Sequence, residues 1–473
     1  MGVVGRAGPR WPPRFRSTGR RLAFAAFGLL IAVAPAPAET LSDALAKAYQ
    51  THPQLNAERA KLRGTDENIP QALAGYRPQL VASLSAGLQA VRNVLPDNTV
   101  QGATLKPWTI GLTVTQILFN GYKTASNVRI AEFQVKSGRA ALRNVEQGVL
   151  LDAVTAYMNV MANSALVEAQ RTNVQVLREI QATTKRRLAA GDVTPTDTAQ
   201  AEARLSRGLA DLNVAEVALA ISKETYVQVI GEAPSQLAVA SPVDRLLPVT
   251  EVAAIDTAKN EHPAVVGAGY DVDVATVSIK LAESALLPTV SVQGSVSRSV
   301  QTDTTLTTTS TDQASVLGQI NVPIYDGGTA ASQTRQAKEV ASQSRMVLEQ
   351  VRHQSRTAVV SAWVANEGTK VALKAVESEV RAADVALQGV RREAEGGQRT
   401  TIDVLNAQQD LTNAKTRQIA SQRDRVIASY TLLSAVGRLD AHTLNIDTPE
   451  YQPEVHYHQV RDAWHGLRTP SGK

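Results

Sequence analysis

The chain has 473 residues, which at about 150 per domain suggests roughly three compact domains, yet only 4% of them are aromatic; an elongated or repetitive architecture fits better. The formal net charge of +5 is concentrated at the front: Arg6, Arg10, Arg14, Arg16, Arg20 and Arg21 precede the first acid, so from Glu39 onward the charge is 5 − 6, or about −1, which excludes a basic nucleic-acid-binding protein. The absence of cysteine excludes a disulfide framework, a zinc-thiolate site, a cysteine nucleophile and an acylated N-terminal Cys.

Residues 1–38 have the three-part order of a secretory signal peptide: an Arg-rich stretch, the apolar run from Leu22 to Val33, then Ala36-Pro37-Ala38 before Glu39. That run is shorter than the about 20 apolar residues a membrane-spanning helix needs, and no later segment reaches this length without charged or polar interruptions. The chain is therefore expected to be exported without a helical membrane anchor.

From Glu39 onward the chain is one unit written twice. Thr40, His52-Pro53 and Pro78 recur as Thr250, His262-Pro263 and Pro288, at an offset of 210. The offset then becomes 206, linking Phe119-Asn120-Gly121 to Tyr325-Asp326-Gly327, Ala156-Tyr157 to Ala362-Trp363, Asp197 to Asp403 and Ile230-Gly231 to Val436-Gly437. An indel that spares the register on both sides belongs in a surface loop. The spacing thus predicts a first repeat at 39–231 and a second at 250–437, joined by a Pro-containing linker at 240–249 and followed by a polar tail at 438–473. Each repeat reads as short helix, helix, strand, strand, long helix, tip, long helix. His52 and His262, each before a proline, read as helix-start punctuation. His456, His458 and His465 fall in the tail and read as surface residues.

Period-two runs mark the strands. Leu80, Ala82, Leu84, Ala86 and Leu88 alternate with Ser83, Ser85, Gly87 and Gln89, and Trp108, Ile110, Leu112 and Val114 alternate with Thr109, Gly111, Thr113 and Thr115. The second half repeats this around Val290, Val292 and Val296, and again around Val316, Ile320 and Val322, giving β-hairpins at about 79–119 and about 289–325. Runs of about 9 to 11 residues suffice to cross a bilayer as tilted strands. Two soluble hairpins with one face on a core would show the same alternation. Four strands cannot close, however, and an open edge is not tolerated in lipid, so a membrane reading requires several copies to share one barrel. The Ser/Thr/Gln face favours a barrel wide enough for water. Trp108, Phe119 and Tyr325 suit an interfacial aromatic belt, the last two at matching strand ends, and Asn93–Thr104 and Thr302–Asp312 read as hairpin loops.

Between Lys123 and Leu188 there is no proline, which predicts a helix about 100 Å long. Val128, Val135, Leu142, Val149 and Ala156 step by seven, as do Leu205, Leu212, Leu219 and Tyr226 on the return helix. A two-stranded coiled coil fits that period. The Ala/Val-rich seam and the charges spread around the circumference suit helices packed side by side in a wall instead. Helical hairpins are expected at about 122–231 and 328–437. Their tips are Ala189-Ala190-Gly191 followed by Thr194-Pro195-Thr196-Asp197, and Gly396-Gly397 followed by Thr400-Thr401-Ile402-Asp403, in which Thr194 and Thr400 are caps and the aspartates sit three residues on.

The duplicated plan, the stretch Ala72-Leu73-Ala74-Gly75-Tyr76-Arg77-Pro78, and the tip Gly397-Gln398-Arg399-Thr400-Thr401-Ile402-Asp403-Val404-Leu405-Asn406-Ala407 resemble the TolC family of outer-membrane channels, over about Glu39 to Gly437. The resemblance implies a fold of mixed α and membrane β: a tandem-repeat protomer of a trimeric 12-stranded outer-membrane β-barrel, continuous with a long periplasmic α-helical barrel. It implies no catalysis and no cofactor or metal. It implies a homotrimer that works with a periplasmic adaptor and an inner-membrane transporter, sits in outer-membrane lipid and binds no nucleic acid.

The stretch Arg399–Leu411 is more similar to members serving type I protein secretion than to multidrug-specific relatives, so a duct for proteins, small toxic molecules or both is expected. The other readings are a dedicated multidrug duct and a non-conducting coiled-coil envelope protein. By resemblance, Asp403 lines the closed periplasmic entrance and can ring it with negative charge, although its place after Thr400 also makes it a helix cap. Arg399 matches a residue that bridges to Asp197 on a neighbouring protomer's first tip. Asn406 stands where some members have a second aspartate, and Ala394 where some have a gating tyrosine, which implies weaker cation block. The tips Gly191, Asp192, Val193 and Thr194, and Gly396, Gly397, Gln398 and Thr400, resemble the loops that meet adaptor hairpins.

Overall fold

The computed structural model describes residues 38–302 and 308–470; the expected signal peptide up to Pro37 lies outside the described residues, as does the middle of the second expected hairpin loop. Helices α1 (Leu41–Thr51) and α2 (Pro53–Asp66) meet at His52, whose Nδ1 accepts the Gln54 N–H at 3.3 Å, with Pro53 opening the second helix. The chain continues through α3 (Asn68–Leu73), β1 (Gln79–Ala86), β2 (Gln89–Val94) and β3 (Val100–Asn120) into the helical hairpin of α4 (Lys123–Ala189) and α5 (Pro195–Ile230). The second half repeats the order: α6 (Glu251–Glu261), α7 (Pro263–Glu283), β4 (Thr289–Thr302), β5 (Thr308–Asn321), α8 (Thr329–Glu395) and α9 (Thr401–Val436). A last helix, α10 (Pro453–Val460), closes the described chain. His262 caps α7 as His52 caps α2, its Nδ1 accepting the Ala264 N–H at 3.2 Å.

The strands form one antiparallel sheet in the order β1-β3-β4-β5, so the two hairpins lie side by side, and β2 extends the β1 pairing along β3. The register is unbroken between β1 and β2, since Ala86 faces Trp108 and Gln89 faces Leu105. Pro107 lies between those partners. It has no N–H to give, and only its carbonyl bonds across, accepting from Gly87 N at 2.9 Å. Three strands are longer than the expected 9 to 11 residues, β3 with 21 and β4 and β5 with 14 each, while β1 (8 residues) and β2 (6 residues) are shorter and together face β3. They run into the expected loops, leaving only Leu95–Thr99 as the first turn, where Asn98 takes φ 63°. Tyr325, in contrast, lies beyond β5, which stops at Asn321 just before Pro323.

The long helices α4 and α8 have 67 residues each, about 100 Å at 1.5 Å per residue. Each is flanked over part of its length by a 36-residue partner, α5 or α9. In that part the wall runs α5-α4-α9-α8; beyond it α7 packs between α4 and α8, while α2 and α3 cover α4. The handover is close. Gly437, at φ 92° after α9, has no room for a Cβ, which would come within 2.6 Å of His262 Cα at the α6–α7 corner. On α5 the fully packed seam is Ala201, Gly208, Ala215 and Ser222, four residues away from the expected leucines, of which Leu205, Leu212 and Leu219 are half-buried. Small residues win this face because α4 comes close: a Cβ on Gly208 would lie 2.8 Å from Leu177 Cδ1.

The main core sits around the middle of α4, where Leu150, Ala153, Val154 and Tyr157 meet Leu45 and Ala48 of α1, Tyr226 and Ile230 of α5, and Leu433 of α9. One window of α4 is long and apolar enough to cross a membrane, and half of it is buried within the fold. The tail differs from the expected polar surface segment. Leu439, Ala441 and Ile446 enter this same core, α10 packs on α2, and His456 Nδ1 lies 2.8 Å from the buried Asp66 Oδ2. These apolar residues follow neither a helical nor a strand period, so no pattern in the tail announces them.

Candidate functional site

Two regions carry the residues singled out in the sequence: the tips of the helical hairpins and the sheet. At the first tip the chain leaves α4, turns at Gly191 (φ 84°) and restarts at Thr194. Asp197 Oδ2 accepts the Thr194 N–H at 2.9 Å and its hydroxyl at 2.8 Å, while the Asp197 N–H is given back to Thr194 Oγ1 at 3.3 Å. The second tip repeats this with Gly397 at φ 76°: Asp403 Oδ2 accepts from Thr400 N at 3.0 Å and Thr400 Oγ1 at 2.7 Å. Bonds from Thr194 hold the Asp197 carboxyl below the usual range, and bonds from Thr400 do the same for Asp403. Both aspartates are half-buried, charged and already engaged as caps.

Arg399 Nε donates to Glu393 Oε2 at 2.9 Å across its own tip, so within one chain its partner is Glu393, while Asp197 serves Thr194. Asn406 is drawn toward the other hairpin: its Oδ1 accepts from Arg204 Nη2 of α5 at 2.9 Å. Next to it Leu177, Ala201 and Leu405 form a small buried cluster joining α4, α5 and α9. A cleft of 540 Å³ opens between the two tips, lined among others by Ile180, Arg187, Asp192, Arg391, Ala394 and Val404.

Sequence reading missed the polar layer above this cleft. Gln408 Nε2 donates to Asn173 Oδ1 at 3.2 Å, Thr412 Oγ1 donates to the same oxygen at 3.0 Å, and Arg391 Nη2 donates to Gln408 Oε1 at 2.8 Å. Asn173, Gln408 and Thr412 are all buried. These bonds tie α4 of the first hairpin to α8 and α9 of the second. The available signal is Gln408 and Thr412, four apart, on the same face of α9 as Leu405 and Leu411.

In the sheet the register sorts the residues by face. Leu84, Ile110, Arg298 and Asp312 lie opposite one another, as do Ala82, Leu112, Val296 and Ala314, so one face is largely apolar. The other carries Ser85, Thr109, Ser299 and Thr311, and Ser83, Gly111, Ser297 and Gln313. Hydroxyl pairs cross the strands on that face, Thr109 to Ser299 at 3.1 Å and Ser295 to Ser315 at 2.9 Å. Trp108 belongs to the apolar face.

Phe119 reaches the apolar face only because the ladder slips at Leu118. Ile117 pairs with Ser291 and Phe119 with Val290, so the extra residue turns Phe119 outward. Its ring meets Tyr122 edge-on, with centroids 5.4 Å apart. Tyr325 is 86% exposed and outside the strand. The neighbouring Asn and Asp are structural: Asn120 Oδ1 accepts from Thr124 N at 3.3 Å at the start of α4, and Asp326 Oδ2 accepts from Ala330 N at 2.6 Å at the start of α8. Gly121 is required by packing, since a Cβ there would lie 2.7 Å from the Ser284 carbonyl oxygen.

The same two-part architecture recurs in known proteins. A family model described as outer membrane efflux protein matches residues 44–232 and 254–438, the two halves of the repeat. The chain is 38% identical over 448 residues to the outer membrane efflux protein BepC of Brucella suis biovar 1, covering 94% of this chain and 96% of that one. It is 24% identical over 440 residues to the alkaline protease secretion protein AprF of Pseudomonas aeruginosa, covering 91% of each. Among solved structures, the CmeC outer membrane channel of Campylobacter jejuni superposes with a TM-score of 0.75 over 89% of each chain. Its identity is 14%, so that likeness speaks for the fold alone.

Proposed function

The chain belongs to the outer membrane efflux protein family, and on that premise we propose that it is the outer-membrane exit duct of a tripartite export system, receiving cargo from an inner-membrane transporter through a periplasmic adaptor. The observation that carries this reading is the pair of faces on a sheet that ends in two unpaired edges. One face is apolar and suits lipid, the other is lined by hydroxyls and suits water, and every residue of the outer strands β1 and β5 is exposed. Three copies would supply twelve strands, pairing β1 of one chain with β5 of the next.

The helical wall supports the same closure. Its outer members α5 and α8 leave Val214, Val217 and Ile221, and Val364, Val371 and Val385, exposed in the single chain. The two tips face away from the sheet and are proposed to meet the adaptor through Gly191–Thr194 and Gly396–Thr400. Asp403 and Arg399 are proposed to line the periplasmic entrance, with the Arg204–Asn406 bond joining the hairpins where a second carboxylate is replaced by an amide. Trp108, Phe119 and Tyr325 are proposed to lie at the membrane interfaces. No catalytic step is assigned to the protein.

Cargo is proposed to include both proteins and small toxic molecules, since one relative is named for efflux and another for protease secretion. Purified protein should be trimeric by light scattering in mild detergent and should open pores in planar lipid films. A monomer without conductance would overturn the reading. Deletion of the gene separates the cargo classes: lost drug tolerance marks efflux, and a protein missing from the medium marks secretion.

A further inference from the structure

The strands β1 to β5 contain four ionisable residues, Arg92, Lys106, Arg298 and Asp312. The register puts all four on the apolar face. Arg92 pairs with Gly102, Lys106 with Thr302, and Arg298 lies between Ile110 and Asp312, so each shares the parity of Trp108. The hydroxyl face, where a cargo-sorting charge would belong, has none among the described strand residues. All four also sit toward the hairpin end, away from the helices.

Their levels on β3 are 102, 106 and 110, four residues or about 13 Å apart along the strand. From Phe119 to Trp108 is 11 residues, about 37 Å along the strand and roughly 28 Å in height at a tilt of about 40°, close to the about 25 Å apolar band of membrane barrels. Arg298 therefore lies just inside the outer limit of the acyl chains, Lys106 just outside it, and Arg92 farther out. Arg298 binds Asp312 through Nε (2.6 Å) and Nη2 (2.7 Å), a bidentate pair in which Nη1 takes no part. Three cations against one carboxylate leave +2 per chain on this face.

We propose that this outward face binds the phosphorylated sugar headgroup of a glycolipid in the outer leaflet. Arg298 and Lys106 would take phosphate oxygens at the acyl-chain boundary, with Trp108 between them, and Arg92 a phosphate carried farther out on the saccharide. Cations at successive depths fit a headgroup with several phosphates better than one with a single phosphodiester. The inference rests on the outer-membrane reading of the sheet.

The test uses the assembled protein in phosphatidylcholine nanodiscs doped with a bis-phosphorylated, hexa-acylated glucosamine disaccharide lipid, with the same lipid stripped of phosphate, or with phosphatidylglycerol. Lipid retained after detergent exchange is counted by native mass spectrometry. The phosphorylated glycolipid should be retained roughly tenfold over both others, and most of that preference should vanish in K106Q/R298Q/D312N. K106Q alone should lose part of it, which keeps the test alive if the triple variant misfolds. Equal retention of the stripped lipid or of phosphatidylglycerol, indifference to the substitutions, or displacement by millimolar inorganic phosphate would each overturn the inference. Conductance is recorded on the same preparations. Pores without lipid preference sink this inference alone; a monomer without pores sinks the functional reading beneath it.

Discussion

Glu39 is only 7% exposed where the described chain begins, and its carboxylate is held by side chains from two distant segments. Lys47 Nζ reaches it at 3.0 Å and Ser235 Oγ at 3.1 Å, while its backbone pairs with Gln236 and Ala238. Burial alone raises this carboxyl, but the bonds from Lys47 and Ser235 outweigh it and hold it below the usual carboxylate range. A group depressed in this way adds stability above its unfolded value and loses it as the pH falls through the folded one. Glu39→Gln should therefore lower the melting temperature at pH 7, by a loss of roughly 1–3 kcal/mol, and the gap to the native protein should close in melts run well below about pH 4. A gap that persists unchanged in acid would point to packing instead. Single residues of this kind are only partly legible in the sequence. Thr400 and Asp403 can be read as a capping box because cap chemistry is local, whereas Ser235 lies 196 positions from Glu39, and no local pattern announces that pairing.

Helix lengths are readable to within a residue or two, because proline and glycine punctuate them: α4 runs from Lys123 to Ala189, as the proline-free stretch predicts. The buried face is legible on α4, where Val135, Leu142, Val149 and Ala156 of the expected seam are all buried, and less so on α5. The leucine heptad on α5 marks a half-buried flank, since a seam of Ala, Gly and Ser lets α4 approach more closely than leucines would allow. Polar residues in such a seam carry much of its specificity. Gln408→Ala would leave the Arg391 and Asn173 ends of the buried layer short of a partner, at a cost of about 1–3 kcal/mol. Thermal unfolding of the assembled protein should register that loss, while Gln409→Ala, one residue on, half-buried and bonded only to Asn413 of its own helix, should cost far less. Equal effects of the two substitutions would mean that the layer adds nothing. The strands show the reverse balance: alternation gives their faces, but the slip at Leu118 that turns Phe119 outward has no signature in the alternation itself.

At the scale of the molecule, the sheet and the wall each end in members with unpartnered surface. That the hairpins cannot close alone follows from counting strands; that α5 and α8 are the outer members of the wall does not, because the order of helices depends on contacts between the two halves. Val217 and Ile221 lie one turn apart on α5 and are 52% and 63% exposed. Replacing both with Glu should leave the helical circular dichroism of the protomer intact and abolish the proposed trimer in gel filtration, since two carboxylates would have to be desolvated at the seam. A variant that still assembles would move the interface elsewhere.

The placement of residues 439–446 bears on when the protein can fold. Leu41 and Ile446 share one core although they stand at opposite ends of the described chain, so that core is incomplete until nearly all of it has been delivered across the inner membrane. Contacts of such long range are formed late and slowly. The helical scaffold that carries the strands therefore lacks part of its core until residue 446 has arrived, and before that point this core cannot lend its full support to strand pairing.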